Sequence, residues 1–490
     1  MSGLSFRYGP AWYGFHIYLT TSGSASPIPH VVEGTPMRKR RAAFVAAGVA
    51  AALAATTACG SGSDNGGSDA ANFEAKPSGT MSYWGFDNPD DVGQARLDHA
   101  AKQLDGVTIE SDQTGFDAQK FTTRLASGNV PDVVQMDREL VLTYAAQNLI
   151  LPLDTCLSAN KVGKDRWYPS VVDSVTYKDQ IWAVPQFYQP PAIILNKTVM
   201  DAAGVQDTDI DTSNPDKLLA AIGKMYKANG DVPSTLGFNP QAIGQTNLWL
   251  VGMGGRLADE NGQPALDDPN NVAALELLKK IVDAQGGFAK YKSFTDSFDM
   301  FGEKNQFVQN QVGAEVDAQW YPNVLSPYKD KIKLAAVPFR GKDGNPVTAS
   351  SGTSFVVPAK AKNPAAACRW ALALTEDGSW TAAAEARAAT VKQKNSIDTG
   401  LFTGSPVADK AIREQFVKPS GNAGFDQVIS TYYDIVDKGK SVGASPAGQQ
   451  IKQELLNALT AALLGSKTAQ QALADAQAAS MDAYKTVTGG

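Results

Sequence analysis

The sequence predicts an α/β fold built on a parallel sheet. From Thr80 onward, three short apolar runs ("TMSYWGF", "VTIES" and "PDVVQM") have the composition of buried strands. The stretches between them, "NPDDVGQARLDHAAKQLDG" and "DAQKFTTRLASGN", have helical spacing, with Asn88 as the cap of the first helix and Gly106 as its end. Strand-helix-strand-helix-strand order implies parallel strands joined by right-handed crossovers. A chain of 490 residues is also long enough for two or more cores.

The beginning of the chain does not fit this fold. Residues 1–36 carry aromatic residues and prolines without a period, and we interpret them as an extension upstream of the true start at Met37. From Met37, the basic cluster "MRKRR" is followed by an uncharged, alanine-rich apolar run that ends at Ala58. A basic cluster, a short apolar run and a small residue form the layout of a secretory signal, so we assign residues 37–58 to a signal peptide.

A cysteine, Cys59, stands directly after this signal. The arrangement resembles a bacterial lipobox, except that Thr56 occupies the position where a leucine normally stands. Residues 59–79 are rich in glycine and serine, as in a flexible tether. We therefore expect Cys59 to carry lipid and to anchor the chain on the extracytoplasmic face of the cell membrane. The alternative is an ordinary signal peptide with an incidental cysteine.

Composition excludes several classes of function. The formal charge of −6 leaves no basic field for nucleic acid. His16 and His30 lie in the doubtful leader, so His99 alone remains for catalysis or metal binding, and multi-histidine metal sites are excluded. The sequence has no phosphate-binding loop and no glycine-rich dinucleotide motif. We expect neither a metal nor a cofactor.

Five stretches follow one another along the chain: "RLASGNVPDVVQMDRELVLTYAAQNLILPLD", "YKDQIWAVPQFYQPPAIILNKTVMDAAGV", "LVGMGGRLADENGQPALDDPNNVAALELLKKIVD", "FVQNQVGAEVDAQWYPN" and "VPFRGKDGNPVTASSGTSFVVPAKAKNPAAACRWALALTEDGSW". They span most of the chain from about Tyr83 to Trp380. In this order they resemble the family-1 extracellular solute-binding proteins of ABC importers, the family that includes maltose-binding protein.

The resemblance implies the type II fold of periplasmic binding proteins, in which two hinge-connected lobes enclose a ligand cleft. We place residues 80–189 and 337–400 in the N-terminal lobe, and residues 190–336 and 401–490 in the C-terminal lobe. The segment "VPQFYQPPAIILNK" would be the first crossing between lobes, stiffened by its prolines. Cys156 and Cys368 would both lie in the N-terminal lobe, either as a disulfide or as two separate buried thiols.

The resemblance also implies a sugar site, since a sugar binds aromatic platforms and planar polar groups. Trp320 matches the family's stacking position, with a core tryptophan as the alternative. Asp137 and Arg138 match its hydroxyl-binding pair, with a structural salt bridge as the alternative. The other candidates are Gln189 at the first crossing; Asp87 and Asn88 after the first strand, although capping also explains Asn88; Gln245, Asn247 and Trp249 from the second lobe; and Ser350 and Ser351.

The expected function is that of a substrate-binding lipoprotein and not an enzyme. It would be a monomer that captures a carbohydrate, in particular an oligosaccharide, and delivers it to the transmembrane subunits of an ABC permease. Two alternatives remain open. One is a secreted glycan hydrolase that works with two carboxylates. The other is a binder of a non-sugar solute such as a polyamine or a metal ion.

Overall fold

The computed structural model describes residues 72–86 and 90–489. The expectations for residues 1–36, the signal peptide 37–58, Cys59, Asp87 and Asn88 therefore lie outside the described residues. The strands are β1 (Gly79–Trp84), β2 (Val107–Asp112), β3 (Val133–Asp137), β4 (Thr176–Tyr177), β5 (Gln180–Ile181), β6 (Val184–Tyr188), β7 (Pro191–Asn196), β8 (Lys227–Asn229), β9 (Val232–Asn239), β10 (Val312–Ala318), β11 (Leu334–Val337), β12 (Thr348–Ala349), β13 (Gly352–Val356) and β14 (Gly439–Lys440).

The helices alternate with these strands over the described part of the chain. They are α1 (Asp91–Gln103), α2 (Ala118–Ala126), α3 (Arg138–Ala146), α4 (Asp154–Ala159), α5 (Pro169–Asp173), α6 (Lys197–Ala203), α7 (Pro215–Met225), α8 (Thr246–Met253), α9 (Pro269–Asp283), α10 (Phe288–Thr295), α11 (Tyr321–Leu325), α12 (Pro364–Leu374), α13 (Asp377–Lys394), α14 (Pro406–Gln415), α15 (Ala423–Ile435), α16 (Gly448–Leu463) and α17 (Ala469–Thr488). None of the described helices is long and apolar enough to cross a bilayer.

Two five-stranded sheets organise the structure. The first has the order β2-β1-β3-β13-β6, in which β1 runs parallel to β2 and β3, while β13 is antiparallel to both of its neighbours. The second has the order β11-β7-β10-β9-β8, and β9 and β10 are its parallel pair. The predicted β-α-β-α-β unit is confirmed as β1-α1-β2-α2-β3, and the two sheets are the cores of the two lobes.

The first helix begins later than the sequence suggested. Asp90 is the residue before α1, and its side chain accepts a hydrogen bond from the amide of Gly93, 2.8 Å away. Asp90 therefore performs the capping that we assigned to Asn88. An aspartate satisfies the free amides of a first helical turn as well as an asparagine does.

The structure moves two of the predicted lobe boundaries. The segment that follows β11 packs on the second lobe, because Phe339 lies edge to face against Trp249 with ring centroids 4.9 Å apart. Conversely, α14 packs against α13 of the first lobe, where Leu401 and Ile412 share an apolar cluster with Trp380. Residues 338–347 thus belong with the second lobe, and residues 401–415 belong with the first.

Cys156 and Cys368 form a disulfide, which confirms that alternative over two separate thiols. Their Cα atoms are 5.9 Å apart, and both residues are fully buried. The bond joins α4 to α12 across 212 residues of sequence. Closing so long a loop in the unfolded chain removes much of its conformational entropy, so the bond stabilises the first lobe.

A buried carboxyl lies at the start of α14. Both the amide and the hydroxyl of Thr403 donate to Asp409 Oδ1, each at 2.7 Å. Burial nevertheless raises the pKa of Asp409 to about 7 from an ordinary 3.8, because the folded protein solvates the charged form poorly. The folded state therefore binds the proton more tightly than the unfolded chain does.

This difference gives a prediction for stability. The free-energy penalty of burying Asp409 is absent below its unfolded pKa, grows as the pH rises, and is complete above its folded pKa of about 7. Asp409→Asn should therefore be more stable than the parent at pH 8. This difference in the free energy of unfolding should exceed the difference at pH 4 by about 2–4 kcal/mol. Urea denaturation at both pH values measures this. An equal difference at both would show that Asp409 titrates normally.

Candidate functional site

A recess lies where the two lobes meet, next to the segments that cross between them. Its lining comes from both lobes: the start of α3, the start of α8, the crossing segment around Ser350 and Ser351, the segment from Lys440 to Ser445, and the first turns of α16. Of the predicted residues, Arg138, Asn247, Ser350 and Ser351 line this recess directly.

Glu139 bridges the two lobes at the recess. Its Oε1 accepts a hydrogen bond from Asn247 Nδ2 of α8 at 2.7 Å, and its Oε2 accepts one from Lys452 Nζ of α16, also at 2.7 Å. Burial lowers the pKa of Lys452, but the Glu139 carboxylate outweighs burial and raises the pKa overall. Each oxygen of one first-lobe carboxylate is therefore held by a different helix of the second lobe.

Further contacts follow along the same helix. Thr143 Oγ1 donates to the carbonyl of Ser445 at 3.3 Å, and Gln147 Nε2 donates to the carbonyl of Pro446 at 3.2 Å. Together with Glu139 these residues are spaced four apart, which aligns them along one side of α3. Close to them, Gln449 Nε2 donates to Tyr144 Oη at 2.6 Å. This side of α3 is one of the polar contacts between the two lobes.

Asp137 lies between these charges at the end of β3. Asp137 as a residue is exposed, but loss of hydration around its carboxyl, together with the negative charge of Glu139, raises the pKa of Asp137 to about 6. The positive charges of Lys452 and Arg138 act in the opposite direction. Asp137 precedes α3 but makes no side-chain capping bond, so its carboxyl is not committed to the helix end.

Arg138 lies in the wall of the recess, and its side chain reaches the junction of the crossing segments. Only 1% of its surface is exposed, its Nη2 donates to the carbonyl of Ser351, and its guanidinium carbon lies 5.5 Å from the centre of the Tyr188 ring. Burial lowers its pKa to about 10. Its Nε and Nη1 have no hydrogen-bond partner among the described residues. Arg138 thus contacts the crossing, and its predicted pairing with Asp137 on a sugar hydroxyl stays a prediction.

Gln189 and Ser351 tie the two crossing segments together. The amide of Gln189 donates to the carbonyl of Ser351 at 3.0 Å, and Ser351 Oγ returns a bond to the carbonyl of Gln189 at 3.1 Å. Ser350 Oγ donates to the carbonyl of Ser170 at 2.8 Å. These three predicted residues thus lie at the crossing, beside the recess.

The other predicted residues of the second lobe lie at the carboxyl ends of its parallel strands. Trp320 follows β10, is half-buried, and lies nearly parallel to the ring of Phe301, with ring centroids 6.2 Å apart. Gln245 ends the loop that follows β9 and directly precedes α8. Adjacent parallel strands end at the same edge of a sheet, and ligands of α/β proteins bind beyond that edge.

Trp249 was predicted wrongly. It is fully buried, its Nε1 donates to the carbonyl of Pro240 at 2.8 Å, and its ring packs edge to face on Phe238 and Phe339. A signal for this was present in the run "LWLVGM", which is apolar around the whole helix and therefore typical of a core element. Trp249 supports the second lobe from within.

Two acidic residues of the second lobe were not predicted. Glu315 and Asp317 lie two apart on β10, and both are buried. Gln241 Nε2 and Gln306 Nε2 each donate to Glu315 Oε1 at 3.1 Å, yet burial raises the pKa of Glu315 to about 7. A strand with one exposed face alternates between buried and exposed residues, and acids in such a strand are expected on the exposed face. In β10 every residue is buried, so the sequence alternation did not distinguish these two carboxyls from surface acids.

Glu139 and Lys452 were also missed. Lys452 lies in α16, for which the sequence predicts no site residue, and Glu139 is one acid among many in the sequence. Their pairing depends on how the lobes meet, which no local pattern contains.

Among residues 72–86 and 90–489, no group of three or more His, Cys, Asp or Glu side chains could hold a metal ion.

Comparison with known proteins agrees with this architecture. The solved structure of CpMnBP1 with mannotriose bound has a TM-score of 0.66 and 21% identity, and the match covers 82% of this chain and 99% of that one. The Lmo0181 substrate-binding protein of Listeria monocytogenes, in complex with cycloalternan, has a TM-score of 0.64 and 17% identity, with 84% and 99% covered. These likenesses confirm the predicted two-lobed type II fold.

Two curated relatives match about half of the chain. The diacetylchitobiose binding protein DasA of Streptomyces coelicolor is 28% identical over 253 residues, which is 49% of this chain and 56% of DasA. The extracellular-binding protein PH1214 of Pyrococcus horikoshii is 23% identical over 264 residues, 50% of this chain and 54% of that protein. The matches thus span just over half the length of each relative.

The family model of bacterial extracellular solute-binding proteins matches residues 105–379. This range includes most strands of both sheets, the crossing at Gln189, and the residues from Asp137 to Ser351 that surround the recess. The chain therefore belongs to the bacterial extracellular solute-binding protein family.

Proposed function

We propose that this chain is the substrate-binding lipoprotein of an ABC importer, capturing an oligosaccharide between its lobes and presenting it to the permease. The observation that supports this most is the recess lined by both lobes. A ligand held there would contact α3 on one side and α8 and α16 on the other. Its binding would thereby favour the closed arrangement of the lobes over an open one.

The chemistry around the recess suits a sugar. Asn247, Lys452 and the serines of the crossing segments supply neutral and charged hydrogen-bonding groups, and Glu139 supplies an acceptor. Apart from the residues that line the recess, Trp320 supplies a half-buried aromatic face at the edge of the second sheet. The names and ligands of DasA and CpMnBP1, a diacetylchitobiose binder and a protein bound to mannotriose, support an oligosaccharide over other solutes.

The first test is a thermal-shift screen of oligosaccharides against the mature chain, since a ligand that binds only the folded protein raises its melting temperature. With the best ligand, Trp320→Ala should weaken binding by at least about thirtyfold, the equivalent of 2 kcal/mol for a lost aromatic contact. Trp320→Phe, which keeps an aromatic face, is the control and should lose less. Calorimetry measures both.

The same experiment separates binding from hydrolysis. A binding protein returns its sugar unchanged after denaturation, whereas a glycan hydrolase would return shorter products, which mass spectrometry of the recovered ligand distinguishes. Equal affinity of Trp320→Ala and the parent would remove Trp320 from the site. If no sugar raises the melting temperature, the proposal of an oligosaccharide ligand fails.

The contacts of Glu139 predict how the empty lobes behave. Glu139→Ala removes the acceptor of both Asn247 and Lys452, so the lobes of the ligand-free protein should separate more often and the radius of gyration should increase. Asp475→Ala is the matched control, because Asp475 pairs with Lys467 within the second lobe. Small-angle scattering of both variants measures the change. The same radius in both would show that Glu139 does not hold the lobes together.

A lipid anchor at Cys59 is the second part of the proposal. The extracellular family places the working protein outside the cytoplasm, and the signal-like segment with the tether after Cys59 supplies a means of retention there. Cys59→Ala should release the protein from the membrane into the medium. Mass spectrometry of the mature N-terminus is the decisive measurement, and an unmodified end at another cleavage site would refute the anchor.

A further inference from the structure

The acids of β10 are held in different ways. Glu315 accepts hydrogen bonds from two glutamine side chains, as described above. Asp317 Oδ1 accepts a bond only from the amide of the next residue, Ala318, at 2.7 Å. Its Oδ2 has no hydrogen-bond partner in the described part of the chain, although only 5% of the residue is exposed.

A second acceptor without a partner lies two residues further along. Gln319 is 7% exposed, and its Oε1 likewise has no hydrogen-bond partner among residues 72–86 and 90–489. The main chain between these two side chains is fixed, because Tyr432 Oη donates to the carbonyl of Asp317 at 2.9 Å. Asp317 and Gln319 therefore present two unsatisfied oxygens from a rigid part of the second lobe.

These oxygens lie at the carboxyl end of β10. β10 ends at Ala318, beside the parallel strand β9, and Trp320 follows immediately. The edge beyond the carboxyl ends of parallel strands is where α/β proteins bind ligands. A buried acceptor without a donor has lost its water and gained no bond in return, so an arriving donor recovers that loss.

We propose that Asp317 is a specificity-determining residue of the ligand site, accepting a hydrogen bond from a hydroxyl or ammonium group of the sugar and rejecting sugars that carry an anionic group there. This rests on the proposed function, and it adds a class of ligand: neutral or cationic oligosaccharides. Gln319 Oε1 accepts a second hydrogen bond from the sugar, as a neutral acceptor.

The nature of the side chain supports a functional role over a structural one. Burial, together with the neighbouring Glu315 charge, raises the pKa of Asp317 well above its ordinary value, so the carboxyl destabilises the empty protein. An asparagine has the same shape and would avoid that penalty. A group that is costly in the empty state and lies at the ligand edge is expected to act when the ligand is present.

The test compares two aspartate-to-asparagine variants. Asp317→Asn places an amide beside the ligand, whereas Asp409→Asn makes the same change at a buried acid of the first lobe. Both variants should raise the melting temperature of the empty protein at pH 8. Only Asp317→Asn should also weaken the best ligand of the screen, by about tenfold or more, as expected for a lost hydrogen bond to a charged group.

A uronic-acid form of the same ligand tests the selectivity. The parent should bind it at least about tenfold more weakly than the neutral sugar, and Asp317→Asn should narrow that gap, because an amide donates to a carboxylate where the aspartate repels it. Should Asp317→Asn fail to fold, Asp317→Ser, which is smaller and also uncharged, is measured in its place with the same expectations.

The outcomes separate this inference from the proposed function. If the parent binds a sugar and Asp317→Asn binds it equally well, Asp317 is not in the site and the inference is wrong. An equal loss of affinity in Asp317→Asn and Asp409→Asn would also overturn it, since the effect would then follow from burial and not from position. If the parent binds no sugar, the oligosaccharide function and this inference fall together.

Discussion

The carbonyl of Ser351 is the point on which the two-lobed arrangement depends. It accepts hydrogen bonds from the amide of Gln189 on the neighbouring crossing segment and from the guanidinium of Arg138. The next residue must be glycine, because Gly352 has a φ of +147° and a Cβ there would collide with Arg138 and with the carbonyl of Phe187. One carbonyl thus joins both crossing segments to the start of α3.

This junction connects the crossing segments with the recess through three consecutive residues. Arg138 turns inward to Ser351, while Asp137 and Glu139 on either side of it face the charges at the recess. A change in the position of α3 when a ligand enters must therefore also act on the crossing segments.

Local patterns in the sequence were sufficient for the β1-α1-β2-α2-β3 unit and for the first crossing, but not for the second crossing, which lies later in the chain than predicted. Each strand of the β1-α1-β2-α2-β3 unit follows from apolar runs bounded by turn residues, and the prolines of "QPP" mark the end of one lobe and the start of the next. Trp249 of α8 shows the limit of this reasoning, since a tryptophan can stack on a ligand or fill a core, and although its apolar run favours the core, packing in the folded chain decides. The lobe assignment of α14 failed for the same reason, because the pattern of an amphipathic helix does not indicate which lobe's core the helix packs against.

The groups at the recess were the hardest to predict, and the reason lies in the strength of the interactions. The bonds of Glu139 to Asn247 and Lys452 join partly exposed side chains, and such pairs contribute only about 0.2–1 kcal/mol each. Contacts that weak leave no pattern in a strand or helix, but they suit two lobes that must open again. If the lobes of the empty protein are held together by about one or two kcal/mol, the open state remains populated. A ligand that binds the closed state more tightly by a few kcal/mol then shifts nearly all molecules to the closed state. Stronger, apolar contacts between α3 and α16 would keep the recess shut and exclude the ligand, so the polar character of this contact follows from the need for reversible closure.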